Sequence, residues 1–320
     1  MIAGTTVVGI DVSRDWLDGF CRPIKQRFHL PNNAEGHDQL REMIQHMPKP
    51  VKVGFEATGG QEWVLWSTLV AAGIDAVQLP PTQIKAFAHS QGTRAKTDRI
   101  DAELIAGFML FRPDAGRTLP SENLRVLRAL TTRRAQIVDM RKRLSTQIAA
   151  RRKQGLADDV EEMDDTLKAL LDEQIKDLER RIESAIAQED SSAVKARLLR
   201  SIPGIGPVSA AMLIAEMPEL GRMTAGEAAA MTGLAPVSHD SGTVRGRRTI
   251  AGGRRALRHV LFQAALAAAC HNPVLKPLAK RLKGRGKPHK LVIIAIARRL
   301  VTIANAVLKT ATPWYANPGT

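Results

Sequence analysis

Two short apolar runs in the first sixty residues each close on an acid: Val7-Val8-Gly9-Ile10-Asp11 and Val51-Lys52-Val53-Gly54-Phe55-Glu56. Two further acids, Asp98 and Asp101, stand three apart and share one face at the start of a helix. A carboxylate at the end of a buried strand is costly unless something cationic sits beside it. Hard oxygen donors of this kind suit Mg2+ or Mn2+. Two such ions about 3.5–4 Å apart bracket a phosphodiester and stabilise its attacking and leaving oxygens. Each acid alone also has a plain reading: Asp98 as a helix cap, Asp11 as part of a turn. The order of strand acid, strand acid and helix acid pair is more specific than any member. Arg94, Lys96 and Arg99 lie beside the last pair and suit a site that holds a phosphate backbone.

A hydroxyl with possible chemistry lies far downstream. Between Gly233 and Arg258 the chain is rich in glycine and carries six arginines, Arg245, Arg247, Arg248, Arg254, Arg255 and Arg258. The guanidinium fork matches phosphate oxygens. Ser241, followed by Gly242, is sterically open among these cations, where a hydroxyl nucleophile toward phosphorus could work. Read alone, Ser241 is a turn residue, and His239 and Asp240 beside it do not have the spacing of a hydrolase triad. Ser238 competes for the role but lacks the following glycine. Upstream, Ser201-Ile202-Pro203-Gly204-Ile205-Gly206-Pro207 resembles a helix-hairpin-helix turn. Gly204 and Gly206 would there turn backbone N–H groups and a helix N-terminus toward a phosphate. A tight turn that needs glycine for positive φ is the alternative.

The elements around these residues follow from periodicity. Strands are expected at 7–12, 16–21, 27–30, 51–56 and 74–79, and helices at 33–47, 61–72 and from Asp98 onward, an α/β domain. Leu130, Ile137, Met140, Leu144 and Ile148 form one apolar helix face, and Leu167, Leu171, Ile175, Leu178, Ile182 and Ile186 another, with a break at Gly155. Charge separates the blocks: residues 1–110 carry −1, 111–153 carry +9, 154–190 carry −9, 191–239 carry +1 and 240–320 carry +15. One basic and one acidic helix, each with an apolar seam, predict an antiparallel hairpin or a dimerising coiled coil. Ordinary bundle helices fit the same pattern.

The whole chain of 320 residues carries +15, which points to a polyanionic partner, most simply nucleic acid. Aromatics are 4%, against a base-stacking sheet. Two cysteines, Cys21 and Cys270, exclude a disulfide scaffold and a cysteine-rich zinc site. No basic segment followed by an apolar run opens the chain, and no apolar stretch of about 18 residues lacks a charge. Neither a signal peptide nor a membrane span is expected.

The strand and helix acids resemble the ribonuclease H-like (RuvC-like) fold of Holliday-junction resolvases. The layout as a whole resembles the DEDD-type insertion-sequence transposases, the pilin-gene invertase-like and bridge-RNA-guided serine recombinases. The likeness spans nearly the full chain. It rests on Gly9-Ile10-Asp11-Val12-Ser13, Phe55-Glu56-Ala57-Thr58-Gly59, Lys96-Thr97-Asp98-Arg99-Ile100-Asp101-Ala102, the Pro203-Gly204-Ile205-Gly206 turn and Asp240-Ser241-Gly242. The resemblance implies a multidomain chain: a ribonuclease H-like domain at 1–110, a helical hairpin or coiled coil at 111–190, and a mostly α transposase domain at 191–320. It implies Asp11, Glu56, Asp98 and Asp101 as catalytic metal ligands for Mg2+ or Mn2+, and Ser241 as nucleophile. Lys96, Arg99, Gly204, Gly206, Arg245, Arg247, Arg248, Arg254, Arg255 and Arg258 would bind nucleic acid. It further implies donor and target DNA, a noncoding guide RNA, a homo-oligomer (dimer or tetramer), and a cytoplasmic, nucleoid-associated prokaryotic setting. The rival expectation is a metal-dependent junction-resolvase-like nuclease with no covalent step.

Overall fold

A computed structural model of the chain describes residues 4–92, 98–155, 160–237, 241, 246 and 248–315. The chain divides into two compact units, Met1–Pro120 and Ser121–Thr320.

In the first unit the apolar runs become strands. They are β1 (Thr6–Val12), β2 (Trp16–Arg22), β3 (Gln26–Pro31), β4 (Val51–Glu56) and β5 (Asp75–Leu79). The sheet order is β3-β2-β1-β4-β5. The first three form an antiparallel meander, and β4 and β5 run parallel to β1. A parallel pair needs a crossover helix. Here α1 (Ala34–Gln45) and α2 (Trp63–Ala71) supply it. They cover one face of the sheet, where Val8, Ile10 and Phe55 pack with Leu40, Ile44, Leu65 and Trp66. The other face belongs to α3 (Pro81–Ser90) and α4 (Asp98–Phe111), where Val7, Val77 and Leu79 meet Ile105, Ala106 and Met109. This is the mixed α/β architecture that a ribonuclease H-like domain requires. The helix α3 adds to the elements read from sequence; it opens with Pro81 in its first turn and buries only Ile84. Cys21 is buried on β2, and burial pushes its thiol up to about 11, so it stays protonated.

The second unit is helical. α5 (Glu122–Gln154) and α6 (Glu161–Ala187) form an antiparallel pair around a seam of Ile137, Leu144, Leu171 and Leu178. Arg134 pairs with Glu179 and Arg141 with Asp172, so seven residues along α5 match seven back along α6. Farther on, Arg151 pairs with Asp164 and Arg152 with Glu161. The opposite charges of 111–153 and 154–190 are thus joined within one chain. Gly155 ends α5 in the left-handed region, as a C-terminal glycine does. Three basic residues in the last turn of α5 and three acids in the first turn of α6 complement the helix dipoles.

Beyond the pair lie α7 (Asp190–Arg200), α8 (Pro207–Glu216), α9 (Ala225–Met231), α10 (Arg255–His271), α11 (Leu275–Gly284) and α12 (His289–Thr310). A two-strand ribbon, β6 (Pro236–Val237) with β7 (Thr249–Ile250), interrupts them. The core centres on α8, buried from Ala210 to Ala215, and on α12. By length and composition α12 could cross a membrane. Half of it is buried inside this core, and Arg298 and Arg299 sit in its middle, as suits a core helix with one wet face.

Candidate active site

Strand register brings the first two acids together. Ile10 of β1 pairs with Phe55 of β4, and the next residue on each strand is the acid, Asp11 and Glu56. One step before, Gly9 and Gly54 are register partners. A Cβ on Gly9 would run into the Ala102 carbonyl oxygen and the Ala106 amide of α4, and one on Gly54 into Met109 of the same helix. Both glycines therefore face α4. Alternation along a strand puts Asp11 and Glu56 on that same face. Asp101 is in the first turn of α4, next to the Ala102 that lies on Gly9. Asp11, Glu56 and Asp101 are each half-buried and engaged by neighbouring groups. Asp98 opens α4; its side chain, and that of Arg99, lie outside the described residues, as does Lys96.

The row extends to acids and bases not picked out from the sequence. Asp11 stands opposite Asp18 of β2, and Asp18 opposite His29 of β3. His29 Nδ1 is 2.9 Å from Asp18 Oδ1, and its ring stacks on Trp16 at 4.5 Å. Like charges directly opposite each other across a strand pair destabilise it. The row Glu56, Asp11, Asp18 thus concentrates negative potential that a cation relieves. The signal for Asp18 was its alternation within Trp16-Leu17-Asp18-Gly19-Phe20, legible only once β2 is registered on β1.

The loops that follow the two acids are clamped. Asn32 Nδ2 donates to the Ser13 carbonyl, in the turn after β1, at 2.8 Å, and to the Gln61 carbonyl, in the loop after β4, at 3.4 Å. That leaves Asn32 Oδ1 to accept from His37 Nε2 at 2.8 Å, which fixes the ring with its proton on Nε2. His37 is buried, and burial holds its pKa below the usual value. Glu62, also buried, ties the second loop: its carboxylate accepts from the Thr58 and Gly60 amides and from Gln78 Nε2 at 2.8 Å.

The donor set suits a hard divalent cation in its chemistry: carboxylate oxygens only, half-buried, at strand ends and a helix start. Among the described residues no three of His, Cys, Asp or Glu come close enough to hold an ion by themselves. Mg2+ commonly takes one or two carboxylates and completes its shell with water and substrate phosphates. Asp11 and Glu56 fit that mode.

In the second unit Ser241 is exposed, between the two strands of the ribbon. Arg248 and Arg255 are exposed as well. Arg254 is committed: it stands just before α10 and pairs bidentately with Glu219, at 2.7 and 3.0 Å. Arg258 donates to the Gly252 carbonyl at 2.7 Å and so braces the arginine-rich loop. Ser238, His239, Asp240, Gly242, Arg245 and Arg247 lie outside the described residues. Gly204 has φ +108°, and a Cβ there would collide with Ala268 of α10, so packing and backbone conformation alone require glycine. Gly206 is different: it precedes Pro207 at the start of α8, and its Cα faces open space.

Residues 8–154 match a transposase family profile, the DEDD transposase of IS110 type, and residues 196–280 match the transposase IS116/IS110/IS902 family. The chain belongs to this family. The pilin gene-inverting proteins of Moraxella lacunata and Moraxella bovis are each 28% identical over 326 residues, covering 97% of this chain and 97% of theirs. An uncharacterised protein of insertion element IS110 from Streptomyces coelicolor is 31% identical over 142 residues, 44% of this chain and 34% of its own. The first match spans Asp11, Glu56, Asp98 and Asp101, and the second spans Gly204, Ser241 and the arginine-rich loop. This transposase is accordingly an enzyme of DNA strand breakage and rejoining.

Proposed function

We propose that this transposase excises and inserts an insertion sequence through a covalent phosphoserine intermediate on Ser241, with Asp11, Glu56, Asp98 and Asp101 as the acidic set. In the first step Ser241 Oγ gives up its proton and bonds to the scissile phosphorus. The phosphorus–oxygen bond to one deoxyribose breaks, and the leaving oxygen takes up a proton. In the second step a deoxyribose hydroxyl of the other strand displaces the serine, so the number of phosphodiester bonds is conserved. When bound, a divalent ion held by the four acids supplies positive charge to the phosphate. What the chain itself contributes is the rigid carboxyl ends of two interior strands for the acids, the Asn32 and Glu62 clamps, and basic loops that hold the backbone.

The observation that carries this reading is the adjacency of Asp11 and Glu56 on the face of α4, in a chain that also carries Ser241 among exposed arginines. Backbone-directed charge without a base-reading motif is consistent with sequence choice by pairing to a noncoding guide RNA, as in other RNA-guided systems. Two DNA molecules cut on four strands need several active sites. A dimer or tetramer, with α5 and α6 as a coiled-coil assembly element, meets that need. The setting is the prokaryotic cytoplasm, on the nucleoid.

The test is an adduct assay. The protein is co-expressed with its flanking noncoding DNA, then given Mg2+, donor and target duplexes, and denatured in SDS. A protein–DNA band that maps to Ser241 and vanishes in Ser241→Ala is expected. Nicked DNA without an adduct, unchanged in Ser241→Ala, would replace this reading with a hydrolytic, junction-resolvase-like nuclease.

A further inference from the structure

Two groups of arginines in the second unit differ in their surroundings. Those of the helical pair and its base, such as Arg134, Arg141, Arg151 and Arg200, are paired with acids. Four others, Arg248, Arg281, Arg298 and Arg299, line a single cavity of about 1050 Å3 between the ribbon, α11 and α12. They are exposed, and no acid lies among the described residues that line the cavity. None can come from farther along the chain, because residues 241–320 contain no Asp or Glu. The floor is aliphatic. Val274 and Leu291 stay 42% and 44% exposed at its mouth, although most aliphatic side chains of α11 and α12 are buried.

A concave aliphatic floor ringed by guanidinium forks has two complements in one ligand: an anion for the rim and a flat apolar body for the floor. Duplex DNA offers only the first, because its bases are stacked inside. A strand with an unstacked nucleotide offers both, and arginine planes can stack on bases where aromatic rings are absent. Lys283 in the last turn of α11, Arg285 and Lys287 in the turn that follows, and Lys290 at the start of α12 extend the positive surface along which successive phosphates would run. Pro236 and Ile250, register partners in the ribbon that flanks Ser241, form one wall of the cavity. We propose that this cavity seats an unpaired nucleotide of a DNA strand, next to the loop that carries Ser241. The proposal rests on the preceding reading only in taking DNA as the partner, since it concerns binding and not strand cleavage.

The experiment is fluorescence anisotropy with the full-length protein, in EDTA, on labelled 12-mers: single-stranded DNA, its duplex, and the same single strand with abasic sites. The intact single strand should bind at least about fivefold tighter than the abasic one. Leu291→Gln should erase that difference and leave the salt dependence unchanged. Arg298→Gln with Arg299→Gln should weaken both strands and flatten the slope of log affinity against log salt by about 1.4. Both sets of positions are exposed, so unchanged thermal melting should accompany the losses. Equal affinity for intact, abasic and duplex DNA would overturn the proposal. So would competition by poly-glutamate as effective as by the oligonucleotide, which would make this a site for acidic protein. An adduct assay that fails at Ser241 leaves these binding results standing, so the two readings can fail separately.

Discussion

Gly9 and Gly54 face each other across β1 and β4, and α4 rests directly on the pair. All four acids of the proposed set are tied to this contact. Asp11 and Glu56 stand two residues beyond the two glycines, on the same face, and Asp98 and Asp101 begin the helix that the glycines admit. Close approach of a helix to a sheet is a use of glycine that needs no unusual backbone angle.

The contact makes an asymmetric prediction. Gly9→Ala puts a methyl group against backbone atoms of α4, which cannot step aside, whereas Gly54→Ala meets the flexible side chain of Met109. Overpacking of this kind costs about 1–3 kcal/mol. Gly9→Ala should take the upper part of that range and Gly54→Ala the lower, as read by denaturant unfolding. Strand cleavage should fall further in Gly9→Ala.

Asp11→Asn, Glu56→Gln and Asp101→Asn each remove a charge from the proposed cation site. Mg2+-dependent strand cleavage should drop by about two to three orders of magnitude, while DNA binding in a gel shift survives. EDTA should reproduce the loss in the unmodified protein. Loss of binding together with a lowered melting temperature would mean that these acids serve the fold. Asp18→Asn is the informative companion: it removes a like charge opposite Asp11, so it should raise stability slightly and weaken the apparent affinity for Mg2+.

The His37–Asn32 link gives a pH dependence. His37 is buried, and its pKa is lowered in the folded chain, chiefly by desolvation, with nearby Asp38 opposing. The unfolded chain therefore takes up the proton first as pH falls. The contribution to stability is intact above the unfolded value of about 6.5 and is lost as pH falls from there through the folded value. Melting temperature measured from pH 8 to 5 should decline over that window, and His37→Gln should flatten the decline. Asn32→Ala leaves a buried ring nitrogen and two loop carbonyls without their partner, at about 1–3 kcal/mol. It should slow cleavage without loosening DNA.

Arg134 and Glu179 offer a test of the helical pair. Their side chains are 19% and 41% exposed. A double-mutant cycle to Ala should give a coupling of about 0.5–1 kcal/mol that shrinks in high salt. Swapping the two, Arg134→Glu with Glu179→Arg, should recover most of what either reversal alone loses.

The acids Asp11 and Glu56 were legible in the sequence because an apolar run that ends in a charge has few structural uses. The two long helices were legible because their seams repeat at helical spacing, and Gly155 marked their break. Charge by segment anticipated that α5 and α6 attract one another. What could not be read lies across strands. Asp18, His29 and the Asn32 clamp acquire partners only through register, which no local pattern encodes. Arg254 and Arg258 were equally opaque: in sequence they are two more arginines of a basic loop, yet in space they brace it. Glu62 reads as one more polar residue in the loop before α2, and only burial shows that it holds that loop.

The seven-residue match between α5 and α6 gives the hairpin a modular length. Ile137 and Leu144, Leu171 and Leu178, Arg134 and Arg141, and Asp172 and Glu179 each repeat at the same interval. Deleting one such block from each arm removes about 10 Å of rod and leaves every remaining seam and ion pair in phase. Deleting it from one arm alone leaves the arms unequal and shifts the ladder wherever the strands no longer match. The length of the rod can thus change in paired seven-residue steps that leave the base of the hairpin untouched.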